Sequence, residues 1–167
     1  MGKKQQLLLQ NQSEKENKLI KYDNIKYLIN EEENASGVIE CKENLRQIHI
    51  PRSIKHGTKE FNITSIMENA FKFSKIESIR FSSDSKLERI DKDAFLYSAI
   101  KNIIIPSSVT LIGEGAFFYC KQLEVIEIPN DSKLKTIDKN AFSYSTIRNI
   151  IIPSSVTLIG EGAFFLL

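Results

Sequence analysis

Residues 102–118 read Asn-Ile-Ile-Ile-Pro-Ser-Ser-Val-Thr-Leu-Ile-Gly-Glu-Gly-Ala-Phe-Phe, and residues 149–165 repeat them letter for letter. The lead-in segments 86–102 and 133–149 agree at 11 of 17 positions, at the same shift of 47 residues. A fixed internal period decides the fold before local propensities do, because each unit must bury its apolar face against its neighbours.

The 47-residue unit divides again. Ala-Phe recurs at Ala70-Phe71, Ala94-Phe95, Ala116-Phe117, Ala141-Phe142 and Ala163-Phe164, in steps of 24, 22, 25 and 22 residues. Upstream of each pair runs an apolar-x-x-Ile-x-apolar pattern: Leu45/Ile48/Ile50, Ile76/Ile79/Phe81, Ile100/Ile103/Ile105, Leu123/Ile126/Ile128 and Ile147/Ile150/Ile152. Pro51, Pro106, Pro129 and Pro153 close four of these; Ser82 closes the fifth.

Apolar residues two apart share one face of a strand, so Ile126 and Ile128 point inward and Val125 and Glu127 outward. Proline cannot donate to a sheet ladder and stops the strand. Ser107-Ser108, Ser154-Ser155 and Asn130-Asp131-Ser132 supply the turns. A second apolar pair follows in each unit (Ile63/Ile66, Leu87/Ile90, Val109/Ile112, Leu134/Ile137, Val156/Ile159), which places it on the opposite wall of a coil. Asn69, Asp93, Gly115, Asn140 and Gly162 precede the Ala-Phe pairs. Two readings of that column are open: a left-handed backbone, which these residues tolerate, or a cap or general turn preference. The phenylalanines recur once per unit and are read as core, Cys120 as a small buried hydrophobe.

The pattern resembles the BspA-type leucine-rich repeat family of bacterial and protozoan proteins, whose units read roughly I-P-x-x-V-x-x-I-G-x-x-A-F-x-x-C-x-x-L-x-x-I-x-I-P. The fullest match is Ile105-Pro106, Val109, Ile112-Gly113, Ala116-Phe117, Cys120, Leu123, Ile126 and Ile128-Pro129. Met67, Asp91 and Asp138 depart at the glycine position, and Ser74, Tyr97 and Tyr144 stand near the cysteine position. The resemblance implies a β-rich solenoid of 22–25 residue leucine-rich repeats over 45–167, behind an N-terminal β-hairpin cap at 19–44. Many members are described as surface proteins, so it also implies a cell-surface or secreted location.

The rest of the chain bounds the function. At 167 residues, one domain is expected. Residues 1–18 are polar and read as a disordered tail; Leu7–Leu9 is too short for a signal-peptide core, and Gln6 stands where a myristoylation signal needs Ser or Thr. No apolar stretch approaches a membrane span. The 23 basic and 21 acidic residues are interleaved and leave a net charge of +2, which gives no nucleic-acid footprint. His49 and His56 are the two histidines, both read as surface residues. No nucleophile, base and orienting acid are grouped, and no cofactor or metal spacing occurs, so an enzyme is not expected. Four Asn-x-Ser/Thr sequons, at Asn11, Asn34, Asn62 and Asn130, matter only in an exported chain.

What remains is a protein-binding face. Stacked in register, the outward strand positions form two columns: Gln47, Ser78, Asn102, Val125 and Asn149, and His49, Arg80, Ile104, Glu127 and Ile151. Either an adhesin-like surface module or an intracellular scaffold would use it. After Phe164, the sequence ends in Phe165-Leu166-Leu167 without a polar cap. That end reads as a truncated copy of a longer array or as a surface for self-association.

Overall fold

The computed structural model describes residues 17–41 and 45–167. The tail expected over 1–18 and the sequon at Asn11 lie outside them, except that Asn17 and Lys18 open the first strand instead of ending a tail.

The N-terminal module is a three-stranded antiparallel meander, one strand more than a hairpin: β1 (Asn17–Tyr22), β2 (Ile25–Asn30) and β3 (Ala35–Cys41). Ile25, Tyr27 and Ile29 alternate inward along β2 and are fully buried. Asp23 and Asn24 turn β1 into β2 with positive φ, and Asn34 does the same before β3.

The solenoid follows. β4 (Gln47–Ile50), β5 (Ser53–His56) and β6 (Lys59–Ile66) make the first coil, with β5 folded back antiparallel on β6. The next coils contribute β7 (Ser78–Phe81) and β8 (Arg89–Ile90), β9 (Asn102–Ile104) and β10 (Leu111–Ile112), β11 (Val125–Glu127) and β12 (Thr136–Ile137), and finally β13 (Leu158–Ile159). Two walls result. β4, β7, β9 and β11 pair in parallel, and on the opposite wall β6, β8, β10, β12 and β13 do the same, with β3 added in parallel to β6. No α-helix occurs among the described residues.

The Ala-Phe turns close each coil. Asn69, Asp93, Gly115, Asn140 and Gly162 all have φ between 54° and 66°, which settles the open column as a left-handed one. The turns are stitched coil to coil: the N–H groups of Phe71, Phe95, Phe117 and Phe142 donate to the carbonyls of Ala94, Ala116, Ala141 and Ala163 at 2.7–2.8 Å. Between the walls the five phenylalanine rings form one stack, with centroids 4.9–5.5 Å apart. Offset stacking adds to what burial alone contributes.

The departures at the glycine position follow the coil packing. A Cβ on Gly113 would lie 2.9 Å from the carbonyl carbon of Asp91, one coil earlier. Gly160 is crowded in the same way by Asp138 and Lys139. Asp91, Gly113, Asp138 and Gly160 alternate from coil to coil, and 47 residues is the length of a two-coil unit.

Candidate protein-binding face

The outward residues of the β4–β7–β9–β11 sheet follow from the strand period. Ile48, Ile79, Ile103 and Ile126 point into the core, so their flanking residues face solvent. Gln47, Ser78, Asn102 and Val125 are direct partners across the three pairings. In the second column His49 pairs with Arg80, and Ile104 with Glu127. Asn149 and Ile151 are both exposed, but they lie outside any strand and extend neither column as a paired position. The fifth coil has left a cleft of about 700 Å³ between β11 and the segment 148–151 where a fifth pairing was expected.

The face is mixed in character. Ile104, Val125 and Ile151 are each more than half exposed. Arg80 and Glu127 bring opposite charges, and the His49 ring sits 3.4 Å from the Ser82 hydroxyl. A shallow depression of about 490 Å³ crosses the sheet over Gln47, Ser78, Arg80, Asn102, Ile104 and Val125. Along one border Glu77 takes ion pairs from Arg46 at 2.6 Å and Lys101 at 2.8 Å. The hydrogen bond from Lys101 and then the two positive charges hold the Glu77 carboxyl below its ordinary range.

A second aromatic row, exposed at Phe73, Tyr97 and Tyr119 and half-buried at Tyr144, was missed by sequence reasoning. Phe73, Tyr97, Tyr119 and Tyr144 follow the core phenylalanines by two residues and all have φ between 56° and 59°. Their rings contact one another in sequence, 4.6–6.0 Å between centroids, and the Lys121 ammonium lies 4.5 Å from the Tyr119 centroid. Left-handed backbone is rare for bulky residues, so the usual signal for φ > 0 points away from them. The fixed offset from Ala-Phe was the available clue. Counted by the same offset, Ser74, Ser98 and Ser145 stand at the Cys120 position and Tyr97 and Tyr144 one residue before it; the Ser98 hydroxyl is 3.5 Å from the Cys120 sulfur.

The repeat geometry, two parallel walls closed by Ala-Phe turns, agrees with the comparison of sequences. The model of the BspA type leucine-rich repeat region matches residues 40–166 in six copies. The chain belongs to the BspA-type leucine-rich repeat family. Among solved structures it is similar to the pneumococcal vaccine antigen PcpA, with 26% identity and a TM-score of 0.71 over 89% of this chain and 47% of that one. A leucine-rich repeat protein from Bacteroides capillosus shares the fold, at 21% identity and a TM-score of 0.53 over 86% and 99% of the two chains. The chain thus spans about half the length of the PcpA structure. None of the curated proteins matches it in sequence. Among the described residues, no helix is long and apolar enough to cross a membrane.

Proposed function

We propose that this BspA-type repeat protein is a non-enzymatic protein-binding module of the surface-antigen or adhesin-like kind. It contacts host or neighbouring-cell proteins through the outward face of the β4–β7–β9–β11 sheet. The observation that carries the reading is the in-register outward row of Gln47, half-exposed Ser78, Asn102 and Val125 beside His49, Arg80, Ile104 and Glu127. Solenoids offer such extended faces to partners, and the exposed apolar side chains of Ile104 on β9 and Val125 on the edge strand β11 stand at one end of a face that is otherwise polar. The likeness to PcpA, a pneumococcal vaccine antigen, supports the surface-antigen part of the proposal.

The test has two steps. Antibody labelling of intact and then permeabilised cells locates the chain; signal only after permeabilisation would move the search to partners of an intracellular scaffold. A partner captured from the matching compartment should then lose binding at least tenfold to Arg80→Glu, Ile104→Lys and Glu127→Lys, with circular dichroism and thermal midpoint unchanged. Unchanged affinity across all three variants would overturn the assignment of the face.

A further inference from the structure

Two rows of alternating charge run along the solenoid. The first stands just before the strands of one wall: Arg46, Glu77, Lys101, Glu124 and Arg148. Its first four members are consecutive in backbone register, since Glu77 N–H donates to the Arg46 carbonyl, Lys101 to Glu77, and Glu124 to Lys101. The second row stands before the Ala-Phe turns: Glu68, Lys92, Glu114, Lys139 and Glu161. The N–H groups of Asn69, Asp93, Gly115 and Asn140 each donate to the carbonyl of the next member of that row. Ion pairs join Lys92 to Glu114 at 3.1 Å and Lys139 to Glu161 at 3.7 Å, beside the Arg46–Glu77–Lys101 set.

The sign changes at every step in both rows, and the rows are out of phase. Coils one, three and five carry a cation before the strand and an anion before the turn; coils two and four carry the reverse. Two coils of one kind, stacked, would set like charges opposite each other in both rows.

The outer face of the fifth coil presents the groups that this interface uses between the other coils. Leu158, Ile159 and Phe165 are about half exposed there. The N–H groups of Gly162, Phe164 and Leu166, whose counterparts at Asn140, Phe142 and Tyr144 donate to the next coil, make no hydrogen bond among the described residues. Its charges are Arg148 and Glu161.

We infer that this face docks a repeat coil of the Glu124/Lys139 kind, with an acid ahead of its strand and a lysine ahead of its turn. It rejects a second copy of this chain stacked head to tail. The first coil of such a copy carries Arg46 and Glu68, the same kind as the fifth, and β3 already occupies the edge of its β6. The occupant is fixed by charge complementarity and by continuity with the coil-to-coil interface. The inference does not depend on what the β4–β7–β9–β11 face binds.

The test presents the coil in cis. Leu167 aligns with Cys120, so residues 121–145 are repeated directly after Leu167, once unchanged and once with the acid and lysine copied from Glu124 and Lys139 exchanged. The unchanged coil should raise the thermal midpoint at low salt. The exchanged coil should raise it less, and the two should converge near 1 M salt, where screening reaches within about 3 Å. No gain from the unchanged coil would overturn docking. Equal gains at low salt, or a difference that survives high salt, would overturn the charge rule. The unextended chain should sediment as a monomer; an oligomer abolished by the added coil would overturn the rejection of a second copy.

Discussion

Ile112 and Ile159 occupy the same place in two identical 17-residue segments, yet Ile112 is fully buried and Ile159 is 52% exposed. Local sequence is held constant, so the difference is the neighbouring coil. Ile112 lies under β12, which pairs with β10, whereas β13 pairs with β12 alone among the described residues. Ile112→Ala should cost about 2–5 kcal/mol, as buried truncations do. Ile159→Ala should cost under about 1 kcal/mol, in the range of exposed substitutions. Chemical denaturation of the two variants measures both, and equal costs would refute a stability set by coil stacking.

The phenylalanine stack makes a related prediction. The Phe117 ring lies between Phe95, 4.9 Å away and tilted by 3°, and Phe142, 5.2 Å away and tilted by 8°. Phe117→Ala leaves a cavity with aromatic walls on both sides and should cost about 3–5 kcal/mol. Among the described residues Phe164 stacks on Phe142 alone, and it is half-buried. Phe164→Ala should therefore cost half as much or less. A loss under about 1 kcal/mol for Phe117→Ala in a denaturant melt would sink the stack as a source of stability.

The sequence revealed the coil because the physics that builds it recurs in place. Ile at alternate positions, Pro after the strand and Ala-Phe after the turn each repeat at a near-constant spacing. The two walls and the buried Cys120 follow from those residues, whereas the turn column stayed open between a left-handed backbone and a cap until its φ angles decided it. What stayed hidden depends on register between coils. Glu77 meets Arg46 and Lys101 from 31 and 24 residues away, a pairing no local window contains. Asp91 and Asp138 depart at the glycine position, and only the stacking of coils brings their backbone against Gly113 and Gly160. Asn149 and Ile151 carry the same letters as Asn102 and Ile104, but pairing is a property of the neighbour as well as of the strand.

Cys120 gives a pH prediction. Its sulfur donates to the Phe95 carbonyl at 3.1 Å, and burial pushes the thiol up from 9.0 to about 11. The folded state thus holds the neutral thiol, while the unfolded chain releases its proton at the lower value. The resulting stability is fully present below pH 9 and is lost between pH 9 and about 11. The advantage of the wild type over Cys120→Ala in melts should shrink across that window. Native protein at pH 8 should also leave Cys120 unmodified by an alkylating reagent until denaturant is added; rapid labelling of folded protein would contradict the burial.

Glu77 tests the charge rows from the other side of the titration scale. Lys101 and Arg46 hold its carboxyl below the ordinary range, so the folded state prefers the charged form. That preference stabilises the fold above the ordinary carboxylate pKa and is lost as pH falls through the depressed folded value. Glu77→Gln should lower the thermal midpoint at pH 7 and low salt, and the gap to wild type should close in strong acid. It should also close near 1 M salt, because the pair lies at the surface and is screened. Glu88→Gln serves as the control, since Glu88 is exposed and stands in neither row. A gap equal for the two variants, or one indifferent to salt, would mean that the Arg46–Glu77–Lys101 set does not hold adjacent coils in register.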